Sequence, residues 1–170
     1  AILPRIVTII SPEVPETPMF VGATLARTPK FTLSPTPDNS ILGIVPHDMP
    51  SRPAIETPHP FFVVDLREVE RIVGVQPPSA WEPAILTHCY VPYGADYDMW
   101  IDVALDVAGM CGGFAVLEGE VIPFPEPWHW SRGEDGRWQA DSDWMDANVA
   151  AYHERTGGTR NSASTGDLNR

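Results

Sequence analysis

The sequence predicts a domain of the α+β class, in which short, mainly antiparallel strands pack with two or three helices. Segments with helical periodicity occur at about 66–73, 97–110 and 143–155, and short β-prone segments lie between them. Twelve of the nineteen prolines fall within the first 60 residues. Because proline cannot donate a hydrogen bond to a sheet, the strands of this region are expected to be short and interrupted.

Each predicted helix carries local start and stop signals. Asp65 and Glu68 have the spacing of a capping box at the start of 66–73. Asp96 is the expected N-cap of 97–110, and acidic residues crowd its early turns, where the helix dipole favours them. Glycines follow all three helices and are expected to end them.

The strand predictions depend on short apolar or aromatic runs bounded by glycine and proline. Residues 61–64 have the composition of a buried strand, and 114–122 read as a strand that follows the second helix. Residues 128–131 and 137–140 flank a Gly-Glu-Asp-Gly turn, which predicts a hairpin.

Composition divides the chain into three parts. Residues 1–59 are expected to form a proline-rich, extended arm in which helix is disfavoured, and 19–25 is one of its β-prone segments. The arm is expected either to wrap its own core or to pack on a neighbouring subunit. Residues 60–157 form the compact domain, and 158–170 a flexible C-terminal tail.

The net negative charge restricts the classes of molecule that this protein is expected to bind. The formal net charge is −12, and residues 96–146 hold twelve acids against two arginines. Because an acidic surface repels phosphate, direct nucleic-acid binding is not expected, whereas other protein subunits, in homo- or hetero-oligomers, are. The most apolar stretch, 99–111, is interrupted by two aspartates, which predicts no membrane span. With no export signal at the N-terminus, the expected location is the cytoplasm or a particle assembled there.

Three aspartates recur every four residues in the second predicted helix: Asp98, Asp102 and Asp106. Carboxylates at this spacing can share a hard cation, but they also repel one another, and no histidine ligand accompanies them. The sequence therefore predicts a solvated acidic surface, with no metal and no cofactor.

The two cysteines, Cys89 and Cys111, have no neighbours at metal-binding or redox spacing and are expected to be buried free thiols. His88 precedes Cys89 and resembles a base beside a nucleophile. Adjacent residues of a strand point to opposite faces, so this pair is not expected to be catalytic.

Aromatic side chains supply the candidate interface residues. Tryptophans on a hairpin either cover a small core or anchor a partner, and His129 is expected to point away from its two tryptophan neighbours. The candidates for an interface are Trp128, Trp130, Trp138, Phe20 and Phe31.

No phosphate-binding loop, nucleophile elbow or zinc-protease motif is present. The leading expectation is therefore a non-catalytic accessory or structural subunit that acts by protein–protein association within a larger assembly, for example a viral particle. One alternative is a small enzyme or ligand-binding domain with its site between the helix face 96–106 and the hairpin 128–138. Another is an acidic inhibitor that mimics nucleic-acid charge, as antitoxins do.

Overall fold

A computed structural model describes residues 4–38, 41–49, 52–81 and 83–156, and the predicted tail at 158–170 lies outside these ranges. The helices are α1 (Thr17–Leu25), α2 (Leu66–Val73), α3 (Asp98–Met110) and α4 (Ser142–Thr156), with a short 3-10 helix, Ala95–Tyr97, before α3. The strands are β1 (Arg5–Ser11), β2 (Phe31–Pro35), β3 (Ile41–Pro46), β4 (Ile55–Pro58), β5 (Phe61–Val63), β6 (Ala84–Val91), β7 (Phe114–Leu117), β8 (Glu120–Val121), β9 (Trp130–Arg132) and β10 (Trp138–Ala140).

The architecture is α+β, as predicted. Eight strands form one sheet in the order β2-β3-β4-β6-β1-β7-β8, and β5 pairs with β6 beside this path. Every strand pair is antiparallel, including the separate β9–β10 hairpin. The sheet is the platform on which the helices pack.

The two faces of the main sheet carry separate cores. On one face α1, α3 and the β9–β10 hairpin pack against alternate residues of β1, including Val7 and Ile9. On the other face α2 packs against Ile10 and its neighbours. Since α2 has only eight residues, it covers one end of that face.

The three predicted helices are confirmed as α2, α3 and α4. Asp65 caps α2 by accepting a hydrogen bond from the backbone N–H of Arg67 at 3.0 Å, and Gly74 ends the helix at φ 83°. No helix within the described ranges is both long enough and apolar enough to cross a membrane.

Residues 19–25 are helical, and the prediction that they are extended is wrong. They belong to α1, which carries Pro18 in its first turn. Proline is tolerated there because the first N–H groups of a helix have no intrahelical partner. The next proline is Pro29, so nothing interrupts the helix before its end at Leu25.

Residues 114–122 form two strands rather than the predicted one. Leu117 of β7 pairs with Glu120 of β8 across a two-residue turn. Both turn residues have positive φ, 53° at Glu118 and 81° at Gly119, which is the geometry of a tight hairpin turn. The predicted hairpin at 128–140 is confirmed as β9 and β10.

Residues 61–64 contribute a strand, β5, that is less buried than predicted. β5 pairs along one edge with β6, and Phe62 and Val64 remain exposed. These two side chains stay exposed because β5 is an edge strand of only three residues and has little of the core to pack against.

The proline-rich N-terminal region contributes to the main sheet. Four of its strands, β1 to β4, pair within that sheet, and β1 lies between β6 and β7. Val7, Ile9 and Ile10 of β1 are fully buried. The prolines of this region that fall within the described ranges lie in the connections, at strand ends and in the first turn of α1, where a missing N–H costs little.

Candidate functional site

The three aspartates of α3 have different environments. Asp98 is exposed and accepts a hydrogen bond from Arg5 at 2.7 Å. Asp106 is only 2% exposed and forms an ion pair with Arg27. Asp102 lies between them and lines a cavity. Asp106 is therefore a buried ion-pair partner instead of part of a solvated acidic surface, because α3 packs closely on α1 and Arg27 neutralises its charge.

Arg27 follows α1 and connects it to two other helices. Besides its ion pair with α3, its guanidinium lies 4.9 Å from the ring centroid of Trp144 in α4. Asn148, one turn further along α4, donates a hydrogen bond to the carbonyl of Ala26 at 2.8 Å. A buried guanidinium needs both a carboxylate and close packing, and α3 and α4 supply them. These contacts hold α4 across the end of α1.

The five predicted interface residues differ in exposure. Trp130 and Phe20 are buried in the core, and Trp138 and Phe31 pack against it. Trp128 alone among them is exposed, with 37% of its surface accessible. The tryptophans of the β9–β10 hairpin therefore cover the core, and Trp128, which precedes the hairpin, faces solvent.

Trp128 lies directly on α3 because residue 109 is a glycine. A Cβ atom at Gly109 would lie 2.3 Å from Cη2 and 2.8 Å from Cζ2 of the indole. Phe124 contacts the same ring edge-on at a centroid distance of 5.7 Å. The glycine thus lets a large aromatic ring rest on the helix surface.

Between α3, α4 and the residues that lead into β9 lies a cavity of about 330 Å³, which we call the tryptophan cavity. Its wall brings together residues from four parts of the chain. These include Arg27, Met99, Asp102, Trp128, His129, Trp130, Trp144 and Arg155.

Asp102 is the carboxylate of the tryptophan cavity that lacks a protein partner. It makes no hydrogen bond or ion pair with the residues that the structure describes. Partial burial raises its pKa, the neighbouring Asp106 and Asp98 raise it further, and Arg27 opposes the shift. Asp102 is nevertheless an exposed residue, so its carboxylate is solvated and open to a molecule that enters the cavity.

Two further polar groups lie in the same wall. The indole N–H of Trp130 is buried and has no hydrogen-bond acceptor among the described residues. The His129 ring stacks on Trp144 with a centroid distance of 4.6 Å and an interplanar angle of 3°. Because the indole nitrogen of Trp130 has almost no accessible surface, it is an unsatisfied donor of the core and not a contact for a molecule in the cavity.

Sequence reasoning missed Arg27, Trp144 and Asn148. Arg27 is 79 residues from Asp106, and no local pattern connects them. Trp144 falls within the correctly predicted last helix, but its packing direction depends on where that helix docks. Only Arg27 could have been singled out from the sequence, because it is one of few basic residues in an acidic chain.

His88 and Cys89 lie on β6, away from the tryptophan cavity, and point to opposite faces as predicted. Cys89 is fully buried, and burial raises the pKa of its thiol. His88 contacts Thr8, with 2.8 Å between Nδ1 and the hydroxyl. In the described residues, no group of three or more His, Cys, Asp or Glu side chains could hold a metal ion.

Comparisons with protein-family models, with curated proteins and with solved structures find no match to this chain. The chemistry of its own residues is therefore the guide to its function.

Proposed function

We propose that this protein is a non-catalytic binding protein that holds a small organic ligand in the tryptophan cavity. The observation that carries the proposal is the cavity itself, whose volume of about 330 Å³ lies within the range of small-molecule sites. Indole rings supply much of the apolar part of its wall, and the other half of the lining residues are charged or polar, which suits a polar ligand. Asp102 provides a carboxylate that makes no hydrogen bond or ion pair with the described residues.

The composition of the wall favours binding over covalent catalysis. Among the described residues, no serine, threonine, cysteine, tyrosine or lysine side chain lines the tryptophan cavity. Cys111 is buried elsewhere in the core, and burial raises the pKa of its thiol to about 12. The described wall therefore offers no hydroxyl, thiol or amine nucleophile, and of its two carboxylates Asp106 already forms an ion pair with Arg27.

A Gly109→Ala variant tests the proposal. The added Cβ must displace the Trp128 ring, so we expect ligand binding to weaken by about tenfold or more, the effect of losing one well-placed contact. Fragments would be screened by the indole N–H signals of the isotope-labelled protein, and affinities measured for the hits. Stability should change little, since alanine is a better helix former than glycine.

Gly22→Ala is the matched control. Gly22 also lies within a helix, α1, and a Cβ there would meet nothing within 4 Å. We expect wild-type affinity from this variant. The proposal fails if no fragment perturbs the Trp128 and Trp130 signals, or if both variants bind alike.

Self-association is a second candidate function, favoured by the part of the main sheet that α2 leaves uncovered. We call this part the open face. It carries Ile6, His88, Tyr90 and Val121, of which Ile6 and Val121 are more than 40% exposed. The register places only one charged residue, Glu56, among the paired strand residues of this side of the sheet. A second copy could therefore pack there without the repulsion expected from a net charge of −12.

Ile6→Lys tests this candidate by placing a charge at the centre of the open face. If copies pack there, sedimentation of the wild-type chain should show a dimer that the variant shifts to monomer by at least about tenfold in dissociation constant. Val14→Lys is the control, because Val14 is similarly exposed but precedes α1. A wild-type monomer at high protein concentration would contradict self-association.

A further inference from the structure

We propose that the ligand of the tryptophan cavity is an organic cation whose ammonium or guanidinium group lies against Asp102. The inference rests on the binding function proposed above and adds the chemical class of the ligand. Three observations support it: the charges of the cavity wall, the indole rings in the same wall, and the buried guanidinium group of Arg27, which this wall already holds.

The charges of the wall cancel except at Asp102. Arg27 is neutralised by Asp106, with which it forms a buried ion pair. Arg155 pairs with Asp48, with Nε 3.2 Å from the carboxylate oxygen. Asp102 has no such partner. Counting Asp48, which pairs with Arg155 from outside the wall, three carboxylates lie near two guanidinium groups, so a net negative charge remains and attracts cations. An anion would approach arginines that are already paired and would face Asp102.

Indole rings beside the carboxylate favour an organic cation over a hydrated inorganic ion. Trp128 presents an exposed ring, and Trp130 and Trp144 lie in the same wall. Aromatic faces attract ammonium and guanidinium groups through the ring quadrupole and also bury the hydrocarbon attached to them. The indole rings of the tryptophan cavity can therefore contact both the cationic group and the hydrocarbon part of such a ligand.

Arg27 shows that this wall already stabilises a guanidinium. Its side chain is buried between the carboxylate of Asp106 and the ring of Trp144. Asp102 lies one turn before Asp106 on α3 and lines the same cavity as the indole rings, although it is exposed and Asp106 is buried. A ligand cation at Asp102 would therefore be held by the same two kinds of group as Arg27.

Three probes of nearly equal shape and different charge test the inference. These are benzamidine, which is cationic, benzamide, which is neutral, and benzoate, which is anionic. Calorimetry at pH 7 should show that benzamidine binds at least about tenfold more tightly than benzamide, as expected for a charge-assisted contact, and that benzoate does not bind.

Asp102→Asn should remove this preference. We expect benzamidine to bind about tenfold or more weakly to the variant, while benzamide is unaffected. The variant should fold normally, because Asp102 is exposed and makes no hydrogen bond or ion pair with the described residues, and asparagine has nearly the same shape.

Binding of benzamidine should also depend on pH. The groups that act on Asp102 are Asp98, Asp106 and Arg27, and His129 lies in the same wall. As the pH falls through the raised pKa of Asp102, the carboxylate takes up a proton and benzamidine should be released. In Asp102→Asn this dependence should be absent.

The outcomes separate this inference from the function on which it rests. Tighter binding of benzamide or benzoate, equal binding of benzamidine to Asp102→Asn, or no benzamidine binding at millimolar concentration would overturn the cationic ligand. In each case, uncharged or anionic fragments that still shift the indole signals would leave the binding function intact. Failure of every fragment would remove the binding function itself.

Discussion

Replacing Asp106 with alanine is expected to destabilise the fold by about 3–5 kcal/mol, the usual effect of leaving one partner of a buried ion pair without the other. Arg27 would keep its charge at a position where only a tenth of its side chain is exposed. The ring of Trp144 offsets only part of this loss. Chemical denaturation measured by tryptophan fluorescence would give the difference in unfolding free energy.

Asp98→Ala is the matched control on the same helix. Asp98 also pairs with an arginine, but it is exposed, and Arg5 keeps its hydrogen bonds to the carbonyls of Pro92 and Gly94. We expect a change below about 1 kcal/mol, as for other surface pairs. Equal effects of the two substitutions would mean that burial of Asp106 does not determine its contribution to stability.

Deletion of residues 1–11 is expected to abolish cooperative folding. The deletion removes β1, which pairs with β6 over seven residues and with β7 over four. It also removes Val7, Ile9 and Ile10, each of which contributes about 1.5–3 kcal/mol when fully buried. Their sum is comparable with the whole stability of a domain, about 5–15 kcal/mol. Circular dichroism and thermal melting would show the loss.

Two substitutions within β1 refine this test. Ile9→Ala removes fully buried carbon atoms and is expected to cost about 2–5 kcal/mol. Ile6→Ala, three residues earlier on the other side of the sheet, should cost only about 1 kcal/mol, since nearly half of this side chain is already exposed. If the chain without residues 1–11 still melted cooperatively near the wild-type temperature, β1 would be dispensable and an arm independent of the domain would be the better description.

Local patterns were sufficient for the elements whose ends are set by neighbouring residues. Asp65 and Gly74 delimit α2 as expected, and the turn at 133–136 produces the β9–β10 hairpin. The same reasoning missed α1, because proline content averaged over a segment does not show that Pro18 falls in a first turn. It also merged β7 and β8, because the two-residue turn between them contains Glu118, a residue that rarely adopts positive φ.

The place of the candidate site was predictable, but most of its chemistry was not. Helical spacing puts Asp102 and Asp106 on α3, and the hairpin pattern places Trp128 beside Trp130, so the sequence could suggest a site between the helix and the hairpin. It could not distinguish the two aspartates, since their environments are set by Arg27, which reaches Asp106 across 79 residues. Pairing over such distances is a property of the completed fold.

The wall of the tryptophan cavity is assembled from segments that begin with Arg27 and end with Arg155. A chain that has formed the main sheet but has not yet docked α4 lacks Trp144, Asn148 and Arg155, and therefore has no such cavity. Any molecule that binds there consequently recognises the completely folded population alone, and it shifts the folding equilibrium according to its free concentration and dissociation constant. In a cell, the amount of such a ligand would set how long the protein survives proteases that attack unfolded chains.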